Sequence, residues 1–280
     1  MSAIRRIGGV LGTIAYWGGG YRRRVGIKNL GLCFPEMPES EKQQIIKKHF
    51  QYLLTSVLEY GLVFYATRAK ICEVVRLKNI NYLYEYYRQR PIILVCPHFV
   101  GLDIGVMRLG LEGVIGCSMY SAQANDYIST KLKDARLRFI QGNCEIFSRS
   151  EGLRPIIRKL RETNGLFYYL PDQDVGERDS VYVPFFAHQT CATISALPKL
   201  VSLTNAVVVP MAVYRVDDHY EVEFHPAWTD YPSGDLEADI IKMNQYIESA
   251  VLHDLPQYFW LHKRFKTQPN MKRGDLYKQL

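Results

Sequence analysis

Ile92-Ile93-Leu94-Val95-Cys96-Pro97-His98-Phe99-Val100-Gly101-Leu102-Asp103 is the stretch from which the rest of the chain is read. Its first five residues are apolar without alternation, the pattern of a strand covered on both faces in an α/β sheet. Pro97 ends that run, and Gly101–Leu111 then repeats its apolar residues at helical spacing. His98 thus stands beyond the carboxyl end of a strand, where open α/β sheets place their ligands. Asp103 falls in the first turn of the following helix. Residues five apart do not share one face of a continuous helix, but a bend between strand and helix lets the carboxylate approach the imidazole and fix its tautomer. The same spacing suits an acid that complements the helix dipole beside an unrelated histidine.

Outward from this stretch, strand-like and helix-like patterns alternate. Val114–Tyr120, Cys144–Phe147, Leu166–Leu170 and Ala206–Tyr214 read as strands, and Tyr220, Val222 and Phe224 as a half-exposed strand paired across the Asp217-Asp218 turn. Gly101–Leu111, Asp126–Ile140, Glu151–Glu162, Thr193–Leu203 and Glu237–Leu252 read as helices, with Asn164-Gly165 as a stop signal. Ahead of them, Ile45, Ile46, Phe50, Leu53, Leu54, Val57, Leu58 and Leu62 mark a long helix. The fold class expected is α/β: a single layered domain with a mixed sheet flanked by helices and a helical N-terminal arm. Residues 1–38 form a basic, Gly/Arg-rich, membrane-proximal segment; within 39–280, residues 39–90 are the arm and 91–280 the α/β core.

The chain has 280 residues, enough for a sizeable core, and a net charge of +7. The distribution of charge says more than its total: no acid precedes Glu36, whereas Arg5, Arg6, Arg22, Arg23, Arg24 and Lys28 do. Lys263, Arg264, Lys266, Lys272, Arg273 and Lys278 crowd the other end. Two basic ends point to an anionic partner. Ile7–Gly20 is uncharged but short and rich in glycine, so it is expected to lie in a membrane interface, not to cross the bilayer. The six cysteines include no C-x-x-C pair and read as reduced thiols in a cytosolic compartment.

Two further clusters carry chemistry. Pro171-Asp172-Gln173-Asp174 follows the strand Leu166–Leu170, so its two acids also lie at a strand's carboxyl end; a polar turn is the plain alternative. His262-Lys263-Arg264-Phe265-Lys266 gathers cations around an aromatic ring and suits phosphate or carboxylate groups. His188 has no spacing that would complete a metal site, and no metal is expected. A serine-hydrolase elbow, a Walker loop, a dinucleotide fingerprint and nucleic-acid-binding motifs are all missing from the sequence.

The H-x4-D pattern after a buried strand resembles the glycerolipid acyltransferase signature. With Asn29-Leu30-Gly31-Leu32-Cys33-Phe34-Pro35, Leu170–Asp174 and Gln257–Thr267, in order along almost the whole chain, it is similar specifically to the lipid A biosynthesis acyltransferases. That resemblance implies acyl transfer from an acyl carrier protein thioester to a hydroxyl of a phosphorylated, Kdo-bearing glucosamine lipid, at the cytoplasmic face of an inner membrane. It implies no cofactor besides the acyl-donor substrate, and as partners the carrier protein, the glycolipid acceptor and the membrane surface. His98 and Asp103 become the expected catalytic pair. Arg136 and Arg149 become candidates for stabilising the oxyanion, and Asp172, Asp174, His262 and Arg264 for binding substrate. Family members usually carry an apolar membrane helix ahead of the Asn29–Pro35 region; against that pattern the helix is expected to be either missing here or reduced to Ile7–Gly20.

Overall fold

The computed structural model describes residues 2–120, 130–131, 134, 138–139 and 144–280. In chain order its elements are α1 (Ser2–Gly18), α2 (Gly20–Cys33), α3 (Glu39–Tyr65), α4 (Arg68–Val74), β1 (Val75–Lys78), α5 (Asn81–Tyr84) and β2 (Ile92–Val95). There follow α6 (Leu102–Leu111), β3 (Gly116–Tyr120), β4 (Cys144–Ser148), α7 (Arg154–Thr163) and β5 (Leu166–Tyr169). The hairpin β6 (Ser180–Phe185) and β7 (His188–Ile194) leads to α8 (Ala196–Thr204), β8 (Val207–Val216), β9 (His219–Phe224) and α9 (Leu236–His253).

Among the described residues seven strands form one sheet in the order β1-β9-β8-β2-β5-β3-β4, parallel throughout except for the antiparallel β8–β9 pair. The mixed α/β sheet read from the sequence is therefore the architecture found. β2 and β5 are buried at every position because both sheet faces are covered. Ile93, Val95, Phe167 and Tyr169 enter one core, and Ile92, Leu94, Leu166 and Tyr168 the other. Each such side chain contributes on the order of 1.5–3 kcal/mol by leaving water. Short, wholly apolar strands are affordable only in the middle of such a sandwich.

Helix α6 rides low over β8 and β9. A Cβ at Gly105 would come within 2.6 Å of Val213, and one at Gly101 within 2.6 Å of Tyr220. These two glycines set how closely the helix after His98 approaches the sheet. Asn164 closes α7 in the left-handed conformation at φ 46°, as the Asn164-Gly165 stop signal implies.

Several elements differ from expectation. The Gly/Arg-rich entry is helical from Ser2 to Cys33, broken only at Gly19. Its glycines serve packing: a Cβ at Gly8 would meet Thr55, and one at Gly12 would stand 2.3 Å from the Gln51 Cα on α3. Close approach of two helices outweighs the weak helix propensity of glycine. The stretch 39–90 is not helical throughout, since β1 joins the core sheet beside β9. That pairing buries β9, read as half-exposed, at nearly every position. The β6–β7 hairpin occupies residues assigned to no element, and β7 continues to Ile194, past Thr193 where a helix was expected. The expected helix Asp126–Ile140 falls largely outside the described residues.

Candidate functional site

Parallel pairing of β2 with β5 builds the site. Val95 lies opposite Tyr169, and the Cys96 amide donates to the Tyr169 carbonyl at 3.0 Å. Both chains leave the sheet at the same level, so His98 and Asp172, each three residues further on, arrive side by side. The Asp172 carboxylate grips the histidine twice: Oδ1 lies 2.5 Å from Nδ1, and Oδ2 accepts the His98 backbone N–H at 2.9 Å. Asp172 is buried, while the His98 side chain keeps 22% of its surface exposed.

Burial alone would push the Asp172 carboxyl up. The charge of His98, the two hydrogen bonds from it and the nearby Arg264 outweigh burial and hold the group below the ordinary carboxylate range. An ionised Asp172 only accepts hydrogen bonds, so Nδ1 must carry a proton, and in the neutral ring the lone pair is on Nε2. This is the tautomer a general base needs.

The expected contact between His98 and Asp103 is not the one that forms. Nδ1 belongs to Asp172, and Asp103 accepts a hydrogen bond from the Tyr60 hydroxyl through Oδ2. The two residues border different cavities. His98 lines a narrow cleft with Asp172, Gln173, Tyr258, His262 and Arg264. Asp103 faces another, with Ser56, Glu59, Tyr60 and Tyr220. The bend lets the chain place His98 toward one side while Val100, Gly101 and Asp103 border the other.

The C-terminal segment closes the cleft. The Phe259 amide donates to the His98 carbonyl at 2.9 Å, and the Val100 amide to the Gln257 carbonyl at 3.0 Å. Asn29, fully buried on α2, donates to the carbonyls of Trp260 and His262, both at 2.7 Å, and accepts from the Tyr277 hydroxyl at 2.5 Å. This explains why the Asn29–Pro35 and Gln257–Thr267 stretches travel together.

The other expected residues separate into two groups. Asp174 is a buried hub: it accepts the Thr267 amide at 2.8 Å, the Thr267 hydroxyl at 2.9 Å and the Gly176 amide at 3.0 Å, with Arg273 at 3.7 Å. Its carboxylate holds the C-terminal loop. His262 accepts the Asp174 amide through Nε2 at 3.2 Å, and burial together with Lys266 and Arg264 lowers it to about 4. It is therefore a neutral wall of the cleft. Arg264 is also buried. Its Nη1 donates to the Ala192 carbonyl at 2.6 Å and its Nη2 to the Thr193 hydroxyl at 2.9 Å, while Nε finds no partner among the described residues. Two of its five N–H donors thus go to β7, and the residue lines the cleft beside His98 and Asp172.

Arg149 is exposed just after β4. Its charge is felt at Tyr169 and Lys266, and Lys266, lowered first by burial, is lowered further by Arg273, Arg149 and Lys263. Those four cations crowd one rim near the carboxyl edge of the sheet. Arg136 lies outside the described residues.

Helical spacing passed over Glu59, an acid in the middle of α3. It is buried, accepts the Tyr220 hydroxyl, and sits 3.2 Å from Arg5 and 3.8 Å from Arg215. An acid interrupting an apolar stripe was the available signal. Among the described residues no group of His, Cys, Asp and Glu is placed to hold a metal ion. All six cysteines are free thiols.

Residues 1–267 match the family described as bacterial lipid A biosynthesis acyltransferase. The chain is 32% identical over 259 residues to a lipid A biosynthesis acyltransferase of Haemophilus influenzae, covering 91% of this chain and 81% of that protein. It is 30% identical over 269 residues to the lipid A biosynthesis lauroyltransferase of Escherichia coli, covering 95% and 86%. To the myristoyltransferase of the same organism it is 30% identical over 277 residues, covering 95% and 84%.

Proposed function

We propose, on the premise that this chain belongs to the bacterial lipid A biosynthesis acyltransferase family, that it moves a fatty acyl group from an acyl carrier protein thioester to a hydroxyl of a Kdo-bearing lipid A precursor. The observation that carries the reading is the His98–Asp172 contact at the carboxyl ends of adjacent parallel strands. A sugar hydroxyl is a poor nucleophile at neutral pH and needs a positioned base. His98 Nε2 takes the hydroxyl proton as the oxygen attacks the thioester carbonyl. A C–O bond forms and the carbonyl oxygen becomes an oxyanion. As that intermediate collapses, the C–S bond breaks and the imidazolium returns its proton to the departing thiolate. Asp172 keeps Nδ1 protonated and stabilises the transient positive charge. In this scheme Asp103 supports the neighbouring cavity and does not touch the imidazole.

The grouped cations Arg149, Lys263, Lys266 and Arg273, which follow β4 or belong to the C-terminal segment that closes the cleft, suit the phosphates and carboxylates of such an acceptor. No cofactor enters the scheme; the carrier-bound acyl chain is itself a substrate. The place of work is the cytoplasmic face of the inner membrane, where a carrier protein and a lipid acceptor meet. Incubating the purified protein with acyl carrier proteins of different chain lengths and either a Kdo-bearing lipid A precursor or lysophosphatidate tests the reading. Acylation of the lipid A precursor is expected. Transfer to lysophosphatidate alone would replace the acceptor, and transfer to neither would end the proposal.

A further inference from the structure

Nearly every polar side chain that lines the His98 cleft is already engaged. Asn29 spends its N–H groups on two carbonyls, the Trp260 indole donates to the Leu255 carbonyl at 2.6 Å, and the Tyr258 hydroxyl donates to the Asp172 carbonyl at 3.5 Å. Asp172 holds His98, His262 accepts the Asp174 amide, and Arg264 donates to β7. Gln173 is the exception. It lines the same cleft, half-buried, and among the described residues its side-chain amide has no hydrogen-bond partner. An amide offers donors and an acceptor without charge, which complements a hydroxyl and not a phosphate.

The position of Gln173 narrows what meets it. Both its neighbours are pinned, Asp172 by the ring and backbone of His98 and Asp174 by the amide and hydroxyl of Thr267. On the Asp172 side stands the imidazole. On the Asp174 side are cations: Arg273 lies 3.7 Å from that carboxylate, and Lys266 feels its charge. Two residues of chain reach at most about 7 Å, a span that a single sugar residue bridges. A ligand with an anionic group on these cations and a hydroxyl at His98 therefore lies across Gln173.

We infer that Gln173 is a specificity-determining residue for the acceptor: its side-chain amide hydrogen-bonds the sugar of an anionic glycolipid next to the hydroxyl that His98 deprotonates. The inference rests on the acyl-transfer reading and adds to it a recognition of the sugar itself, separate from recognition of its charges. No proton or bond is exchanged at Gln173. The residue holds the attacking oxygen in register with the base, and an acceptor that offers no hydroxyl there leaves the amide unpaired.

Steady-state transfer by the full chain, varying the acceptor and the acyl carrier protein in turn, provides the test. Gln173→Met keeps the length of the side chain without its hydrogen bonds. It is expected to lower kcat/KM for the Kdo-bearing acceptor roughly 5- to 100-fold while the KM for the carrier stays within about twofold. Gln173→His, which can still donate and accept, should recover most of that loss. Raising salt should weaken acceptor binding to the cations in both proteins, leaving the ratio between wild type and Gln173→Met unchanged. Both variants should melt like the wild type, since the amide has no partner to lose. Unchanged acceptor kinetics in Gln173→Met would overturn the inference and leave the acyl-transfer reading standing. A rise confined to the carrier KM would place Gln173 on the thioester arm and overturn it too, as would a kcat loss that Gln173→His fails to recover and that comes with a displaced pH profile, the mark of a support for His98. Wild-type protein that acylates no glycolipid would remove the proposed function itself and this inference with it, a failure seen before any variant is compared.

Discussion

Asp172 and Asp103 belong to two cavities beside the same turn, and their surroundings differ. Asp172 is buried with its carboxylate on the His98 ring and backbone, among Tyr258, Trp260 and Phe265, which pack in the core on one sheet face. Asp103 lies with Tyr60 near buried Glu59, and its neighbours Val63, Ile104 and Tyr220 belong to the core on the other face. In one cavity the acid meets an imidazole. In the other Tyr60 and Tyr220 donate to Asp103 and Glu59, and Glu59 also pairs with Arg5 and Arg215. Spacing along the chain nominates both acids, but adjacency of strands decides which one orients the imidazole.

The largest expected effect separates the cavities by chemistry. His98→Ala removes the proposed base and should lower the transfer rate on the order of 10²–10⁴-fold, with a fall in melting temperature as well, because the buried Asp172 carboxylate loses its ring partner. Single-turnover assays and thermal melts on the same preparation would check this; a variant with full activity would detach the first cavity from catalysis.

Gly105→Val strikes the other side. Its Cβ would meet Val213 at 2.6 Å, so α6 must lift, at a cost of about 1–3 kcal/mol of stability by overpacking. Denaturant melts should show that loss, and a variant as stable as the wild type would mean α6 is not seated as described.

Acidification acts behind the first cavity's wall. His49, packed on Phe259 and fully buried against the Pro256 carbonyl, is lowered by burial from 6.5 to about 4. Between these values the unfolded chain takes up a proton that the folded chain refuses, so stability is full above 6.5 and falls as pH drops toward 4. The loss at pH 5 should be about 2 kcal/mol from this residue. His49→Asn, which can still donate to Pro256, should flatten the slope in melts between pH 7.5 and pH 5; an unchanged slope would shift the effect to other groups.

The smallest effect is at the rim. Arg273 is 56% exposed and 3.7 Å from Asp174, so Arg273→Ala should leave kcat nearly intact and raise the acceptor KM about two- to fivefold. A fall in kcat with KM unchanged would put Arg273 inside the reaction and not at the edge of acceptor binding.

Much of this arrangement is legible in the sequence because burial on both faces leaves unbroken apolar runs: Ile92–Val95 and Leu166–Tyr169 mark themselves as central strands, and the residues just beyond them as site residues. That both runs end three residues before His98 and Asp172 was the clue to their pairing. It becomes visible only once β2 and β5 are known to be neighbours, and strand order is a long-range property. Arg264 illustrates a second limit. A cation beside His262 and Lys263 looks solvent-facing in sequence, yet its guanidinium is buried and donates to Ala192 and Thr193 of a hairpin that the sequence did not reveal. The helices α1 and α2 were hidden for the opposite reason: glycine argues against helix locally, and only the Gly12–Gln51 approach shows what the glycines are for.

The most direct test is to measure acyl transfer by Asp172→Asn and Asp103→Asn side by side at saturating carrier and acceptor. The asparagine at 172 keeps the shape of the contact but loses the charge that fixes the Nδ1 proton. That variant should fall on the order of 10²–10⁴-fold while Asp103→Asn retains most of the wild-type rate. Collapse of Asp103→Asn with Asp172→Asn still active would contradict the assignment and return the imidazole to the acid five residues along the chain.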